Sequence, residues 1–370
     1  MNPYLLLAMQ GGGAYGSYQA GMLAEYFERG GQPYDGGYGV SVGGLNVAQL
    51  FGTSDGSLET SKIAQAPNAA RLATLWESEI SANASVYIPH AATGALTVSV
   101  RKLLGKNLHG DLAVAMLRKQ ASVYDTSPLR KLLHKHLGHK KWPDNVCVGA
   151  VQLQTGEFTE MALNAPPRGM SAVDAVMASA AIPIVFPPIF NFVDGGVTDV
   201  TPLRRVFKQF NEQRKARAER MLSPQPLELH ILRASAFPAP DAGPFERVVS
   251  VLERTLTLFV DNTDREDYER AVLINDILGR LNRSCVSTSP EIASAFQDYK
   301  ERYSLVDAYV IGPSKSEMGQ FSDSARTFDK DAVKSGLKLG RRRMADFLKN
   351  KDDYLLEVVH FNDDVPKLPR

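Results

Sequence analysis

Residues 4–16 read YLLLAMQGGGAYG, an apolar run that breaks into three consecutive glycines and then continues as a helical pattern over 14–29. A strand that ends in a glycine turn and opens a helix leaves bare backbone N–H groups at the helix N-terminus, where negative charge is favoured. Such a turn suits either the diphosphate of a dinucleotide or the oxyanion of an acyl transfer. The loop alone does not choose between them.

The rest of the chain repeats this alternation. Strand patterns occur at 4–9, 37–40, 145–153, 189–193, 226–233 and 304–311. Helical patterns occur at 14–29, 42–52, 68–80, 127–137, 171–181, 202–219, 244–260, 263–281 and 327–349. Strands alternating with helices predict an α/β fold with a mostly parallel sheet. Neither the weakly periodic stretch 81–110 nor the Pro-rich stretch 236–244 makes a convincing boundary, so one domain over 1–370 is expected, with 81–110 as an insertion or lid.

Composition narrows the function. Forty-two Lys and Arg balance 41 Asp and Glu in 370 residues, a net charge of +1. There is no global basic field, and nucleic acid is not an expected partner. No stretch approaches the ~18 apolar residues of a membrane span, and MNPYLLLAMQ lacks a basic start and a long apolar core. The two cysteines, Cys147 and Cys285, read as buried free thiols in a reducing compartment. The expected location is cytoplasmic, with peripheral contact at membranes; oligomeric state is not legible.

Gly11, Gly13 and Gly16 satisfy the dinucleotide pattern G-x-G-x-x-G, and Asp35 follows about twenty residues on. In a dinucleotide site that acid ends the second strand; here Asp35 precedes it and leads into GGYGVSVGG. Within that stretch Gly39-Val40-Ser41-Val42-Gly43 is G-x-S-x-G, a pattern that lifts a serine hydroxyl out of a sharp strand-to-helix turn. Neighbouring parallel strands would bring the two glycine turns together at the carboxyl edge of the sheet. One turn would offer N–H donors and the other a nucleophile.

A serine nucleophile needs a base. His134, His136 and His139 in LLHKHLGHK read as a solvated helix end rather than a metal site, and His230 and His360 are the histidines that could complete a triad. The stronger candidate is Asp194, where a strand runs into Asp194-Gly195-Gly196. Apolar neighbours Phe192 and Val193 would raise its pKa and make it a better base. Asp199 reads as a capping or turn residue. No metal and no cofactor is called for.

With GGGAYG, GVSVG and DGG in this order, the chain resembles the patatin-like phospholipase family. ASVYDTSPLRKLL (121–133) and ASAAIPIVFPPI (178–189) add to a likeness that covers roughly 4–210 well and 304–349 loosely. The resemblance implies a three-layer α/β/α fold and a Ser–Asp dyad without histidine. It implies Ser41 as nucleophile and Asp194 as its base. The oxyanion hole falls to the N–H groups around Gly11, Gly12, Gly13 and Ala14, with Gly39, Gly43, Gly195 and Gly196 supporting the turns. The implied reaction is hydrolysis of lipid acyl esters, of phospholipase A or lysophospholipase type, through an acyl-enzyme. A catalytically silent lipid-binding module is the alternative, followed by a dinucleotide-dependent oxidoreductase. Tyr15 stands where the family often has Arg or Lys, and Asp199 where Asn is common. Val86, Tyr87, Ile88, Leu96 and Val98 with Arg101, Lys102 and Lys106 would give the insertion an apolar surface with a cationic edge. Arg341, Arg342 and Arg343 are expected on a solvated helix face.

Overall fold

The computed structural model describes residues 1–89, 122–236, 265–280, 302–318 and 328–362, together with positions 294, 297 and 299. His90, His109, Cys285, the helix expected at 244–260, most of 236–244 and the insertion residues from 90 to 110 lie outside the described residues.

Nine strands are present among the described residues: β1 Tyr4–Met9, β2 Gly36–Val40, β3 Ile88–Pro89, β4 Tyr124–Asp125, β5 Val146–Gln152, β6 Phe158–Ala162, β7 Phe192–Asp194, β8 Leu227–Leu232 and β9 Asp307–Ile311. The main sheet runs β6-β5-β2-β1-β8-β9, and β7 also pairs with β5. The strands β5, β2, β1, β8 and β9 are mutually parallel, whereas β6 and β7 run antiparallel to β5. Helices α1 Gly16–Glu28, α2 Val42–Phe51, α3 Leu58–Ser78, α4 Asn83–Val86, α5 Ser127–Leu137, α6 Ala172–Ser179, α7 Leu203–Glu219, α8 Lys330–Phe347 and α9 Leu356–Asn362 flank it, with a further helical stretch at 265–280.

The sheet has a core on each face because side chains alternate along a strand. On β1, Leu5, Leu7 and Met9 join a cluster with α1, α2, α3, α5, α6 and α8. Tyr4, Leu6 and Ala8 point the other way, toward Val206 and Phe210 of α7, Tyr268 and Val272 of 265–280, and Leu356 and Val359 of α9. This is the three-layer α/β/α arrangement that the family resemblance implies, with the mostly parallel sheet expected from the strand–helix alternation. The apolar run of β1 has no polar face because it sits between β2 and β8 with helices on both sides.

Helices α1 and α8 lie in backbone contact. A Cβ at Gly21 would collide with the Leu337 carbonyl, and one at Gly340 with the Tyr18 carbonyl. The packing overturns one expectation. Arg343 does not lie on a solvated face; it is 0% exposed. It donates to the Tyr18 hydroxyl at 3.3 Å and the Tyr354 hydroxyl at 3.1 Å, and it pairs with Glu317. Arg341 bonds Glu28 at 2.5 and 2.8 Å, while Arg342 is exposed.

Among the described residues, no helix is long and apolar enough to cross a membrane.

Candidate active site

The register of the sheet brings Ser41 and Asp194 together. β2 pairs with β5 only as far as Val40 opposite Gly149. From Ala150 onward β5 pairs with β7 instead, with Asp194 opposite Ala150. β6 occupies the other edge of β5 at Ala150 and Val151. A strand has two hydrogen-bonding edges, so β7 takes up the row that β2 vacates. The chain leaves the sheet at Ser41, and Asp194 stands where the next residue of β2 would have been.

The exit is abrupt. Ser41 has φ 54° and ψ −126°, a conformation that costs a non-glycine residue on the order of 1–3 kcal/mol. The flanking glycines make it sterically possible: a Cβ at Gly39 would strike the Gly43 backbone, and one at Gly43 the Met9 carbonyl. The Ser41 N–H donates to Ser179 Oγ at 2.9 Å, and the Ser179 hydroxyl donates onward to the Gly149 carbonyl at 2.6 Å. Ser179 thus braces the strained turn against β5. It sits inside the quoted stretch ASAAIPIVFPPI, but nothing in its spacing marked it as more than a helix-end serine.

Asp194 is 6% exposed and Ser41 7%. Burial raises the Asp194 carboxyl to about 6. Hydrogen bonds from the Ser41 hydroxyl and the Gly196 N–H, the latter at 2.8 Å, pull the other way without cancelling it. Among the described residues no charged side chain contributes to the shift. Gly195 follows because a Cβ there would meet the Gly149 carbonyl at 2.6 Å.

The glycine loop closes the third side. Gly11 packs against the serine: its absent Cβ would lie 3.1 Å from Ser41 Cβ. The Gly11 N–H donates to the Val200 carbonyl at 3.1 Å. The first turn of a helix leaves its N–H groups without intrahelical acceptors, and Gly13–Tyr15 form such a turn. Gly12 is pressed against Ala234, 2.5 Å from where its Cβ would be, and Gly13 adopts φ 54°. Tyr15 is partly buried against the core.

Other candidates are placed elsewhere. His230 is buried between the Tyr34 hydroxyl at 3.0 Å and Glu228 at 2.9 Å, edge-on to Tyr26, Tyr309 and Phe347. Burial lowers its pKa, so it rests as neutral imidazole away from Ser41's partners. His136 bonds Glu79 at 3.1 Å, and His134 and His139 are exposed. The side chain of His360 lies outside the described residues. Asp35 accepts the Leu5 N–H at 2.8 Å and pairs with Lys62 at the amino end of β1, the opposite edge from the glycine loop. That placement removes the ribose-binding role a dinucleotide site would need.

The family model for patatin-like phospholipases matches residues 7–207, which contain Ser41, Asp194 and the glycine loop. The chain belongs to the patatin-like phospholipase family. Membership places it among lipid-hydrolysing esterases. VipD from Legionella pneumophila aligns with this patatin-like chain at 14% identity and TM-score 0.29, over 93% of this chain and 67% of VipD. Full-length ExoU from Pseudomonas aeruginosa, in complex with SpcU, aligns at 14% identity and TM-score 0.24, over 97% and 73%. At these scores the structural likenesses carry no argument. No curated protein matches the chain by sequence. Asp199, the residue that departs from the patatin-like pattern after DGG, is buried, and its N–H donates to the Gly195 carbonyl at 3.0 Å.

Proposed function

We propose that this protein hydrolyses the acyl esters of lipids through a Ser41–Asp194 dyad. The observation that carries the reading is Asp194 itself, a buried carboxylate bonded by the Ser41 hydroxyl with no cation among the described residues to hold it ionised. With its pKa near 6 it is ionised at neutral pH yet more basic than a solvated aspartate at ~3.9.

The proton moves to Asp194 as Ser41 Oγ bonds to the ester carbonyl carbon. The oxyanion forms against the N–H groups of Gly12, Gly13 and Ala14; the Gly11 N–H is already spent on Val200. Such a donor is worth roughly 3–4 kcal/mol when removed. Collapse breaks the bond to the leaving alcohol, which takes the proton from Asp194. Water then gives a proton to Asp194 and attacks the acyl-serine. The acid is released and Ser41 recovers its hydrogen.

A fluorophosphonate probe tests this. It should label Ser41, and Ser41→Ala should lose both label and hydrolysis of a mixed lipid extract. Hydrolysis surviving in Ser41→Ala would reject the dyad, and a wild type without label would favour a silent binding module. Mass spectrometry of the released products identifies head group and acyl position.

The whole chain is proposed as one hydrolase unit with 81–110 as cover. Residues 81–89 support this: β3 pairs with β4, and Tyr87 packs on Phe186 at 5.5 Å between ring centroids, in the segment that leads to Asp194. The Tyr124 N–H donates to the Val185 carbonyl at 3.0 Å. Replacing 90–119 with a short Gly-Ser bridge should abolish hydrolysis of vesicles and spare a small soluble ester. Unchanged vesicle activity would remove the lid.

A further inference from the structure

We infer that Asn46 and Gln19 are positioning residues for the reaction proposed above, on which this inference rests. They set the glycine loop at a fixed distance from the serine turn. Asn46 lies on α2, the helix that Ser41 opens, and Gln19 on α1, the helix that the glycine loop opens. Both are 0% exposed, as is Trp76 of α3.

The three side chains form one directional chain of hydrogen bonds. Trp76 Nε1 donates to Asn46 Oδ1 at 2.9 Å. Asn46 Nδ2 donates to Gln19 Oε1 at 3.0 Å and to the Gly16 carbonyl at 3.1 Å. Gln19 Nε2 donates to the Gln10 carbonyl at 2.8 Å and the Leu232 carbonyl at 2.9 Å. Each amide thus uses both N–H groups and its oxygen. Neither amide can flip, because a flip would set oxygen against oxygen and nitrogen against nitrogen.

The backbone groups at the far end identify the purpose. Gln10 immediately precedes Gly11, and Gly16 closes the loop. The two amides therefore grip both ends of residues 11–15 and tie them to α2. The Leu232 carbonyl fixes the same point to the end of β8. Burying two amides costs desolvation that an apolar pair would avoid. What the amides add is a single register between two turns that meet at one reacting carbonyl. Misplacing oxyanion donors acts on the transition state more than on the bound ester.

The test uses Asn46→Leu, Gln19→Met and Trp76→Phe in the full chain, with a short soluble ester. Active serines are counted by fluorophosphonate labelling, so that unfolded protein does not enter the rate. For Asn46→Leu and Gln19→Met, kcat per labelled serine should fall about 10- to 100-fold with KM changed by less than about threefold. Asn46→Asp keeps the acceptor for Trp76 but has no donors for the loop, and it should not restore the rate. Trp76→Phe removes only the outermost donor and leaves both loop-gripping amides. Its fall of about two- to fivefold keeps the inference open to refutation even where the amide variants do not fold.

A lower count of labelled serines with unchanged kcat per serine would mean a purely structural role and would overturn the inference. A wild type that is neither labelled nor active would sink the proposed reaction itself, and the positioning role with it.

Discussion

Asp194 and Glu228 are two carboxylates on one sheet with opposite fates. Asp194 ends β7 and Glu228 lies on β8, and burial pushes both upward. At Glu228 the hydrogen bond from His230 and the nearby Lys351 ammonium, 2.7 Å away, outweigh burial and hold it at about 2. At Asp194 the opposing groups among the described residues are a hydroxyl and one backbone N–H, and it stays at about 6. Asp194 is the deeper of the two, at 6% exposure against 14% for the Glu228 side chain, and among the described residues it has no counter-charge. A carboxylate with a cation is settled; one with only a serine hydroxyl has a proton to take.

The sharpest way to break that contrast is Asp194→Asn. It should cut kcat/KM on soluble ester on the order of 10³-fold, while removing the burial cost and leaving the melting temperature unchanged or higher. Retained activity would mean that the base lies elsewhere.

The pH dependence comes next. Asp194 must be ionised to act, so kcat/KM should fall tenfold per unit below about pH 6. Stability should move oppositely. A carboxyl raised above its unfolded value of ~3.9 contributes stability that is present below pH 4 and lost as pH rises through 6. Urea unfolding of wild type against Asp194→Asn should show a difference of roughly 2–3 kcal/mol opening across that window. Glu228 has the reverse sign: its contribution is present above ~4.3 and lost as pH falls toward 2.

Ser179→Ala should cost about tenfold in kcat and roughly 1–3 kcal/mol of stability, because it leaves the Ser41 N–H and the Gly149 carbonyl without partners. The smallest effect belongs to Glu228→Gln. Lys351 is 40% exposed, so solvent screens the pair and the loss should be about 1 kcal/mol by denaturant titration. Hydrolysis should stay within about twofold. A tenfold loss there would place the β8 cluster in the reaction and erase the distinction.

Much of the architecture was legible because it rests on local pattern. β1 matches its expected span of 4–9, and α5 its span of 127–137. The three glycine turns were visible because a side chain would collide in each: at Gly12 with Ala234, at Gly39 and Gly43 with backbone, and at Gly195 with the Gly149 carbonyl. What escaped depended on partners distant in sequence. Arg343 looks like one of three surface arginines until Glu317 and Tyr18 fold around it. β6, FTEMA, is a half-exposed edge strand with a weak apolar signal. Helix α3 starts ten residues before its expected start, since polar residues and an internal Pro67 conceal its first half. Ser179, Asn46 and Gln19 carry no motif, because their value lies in which carbonyl or N–H each meets.

The interlock of α1 with α8 has a consequence for assembly. The match to the family ends at residue 207, yet β1 needs β8 at 227–232 along one edge, and α1 needs Gly340 of α8 against its backbone and Gly336 against its Ser17 side chain. A ribosome delivers those partners after the family-matched segment. Until they arrive, β1 has an open edge and the helix behind the glycine loop has α2 and α3 on one side but lacks α8 on the other. Every residue proposed to touch the ester precedes β8 in the chain, but the geometry that makes them useful matures only when β8 and α8 have docked.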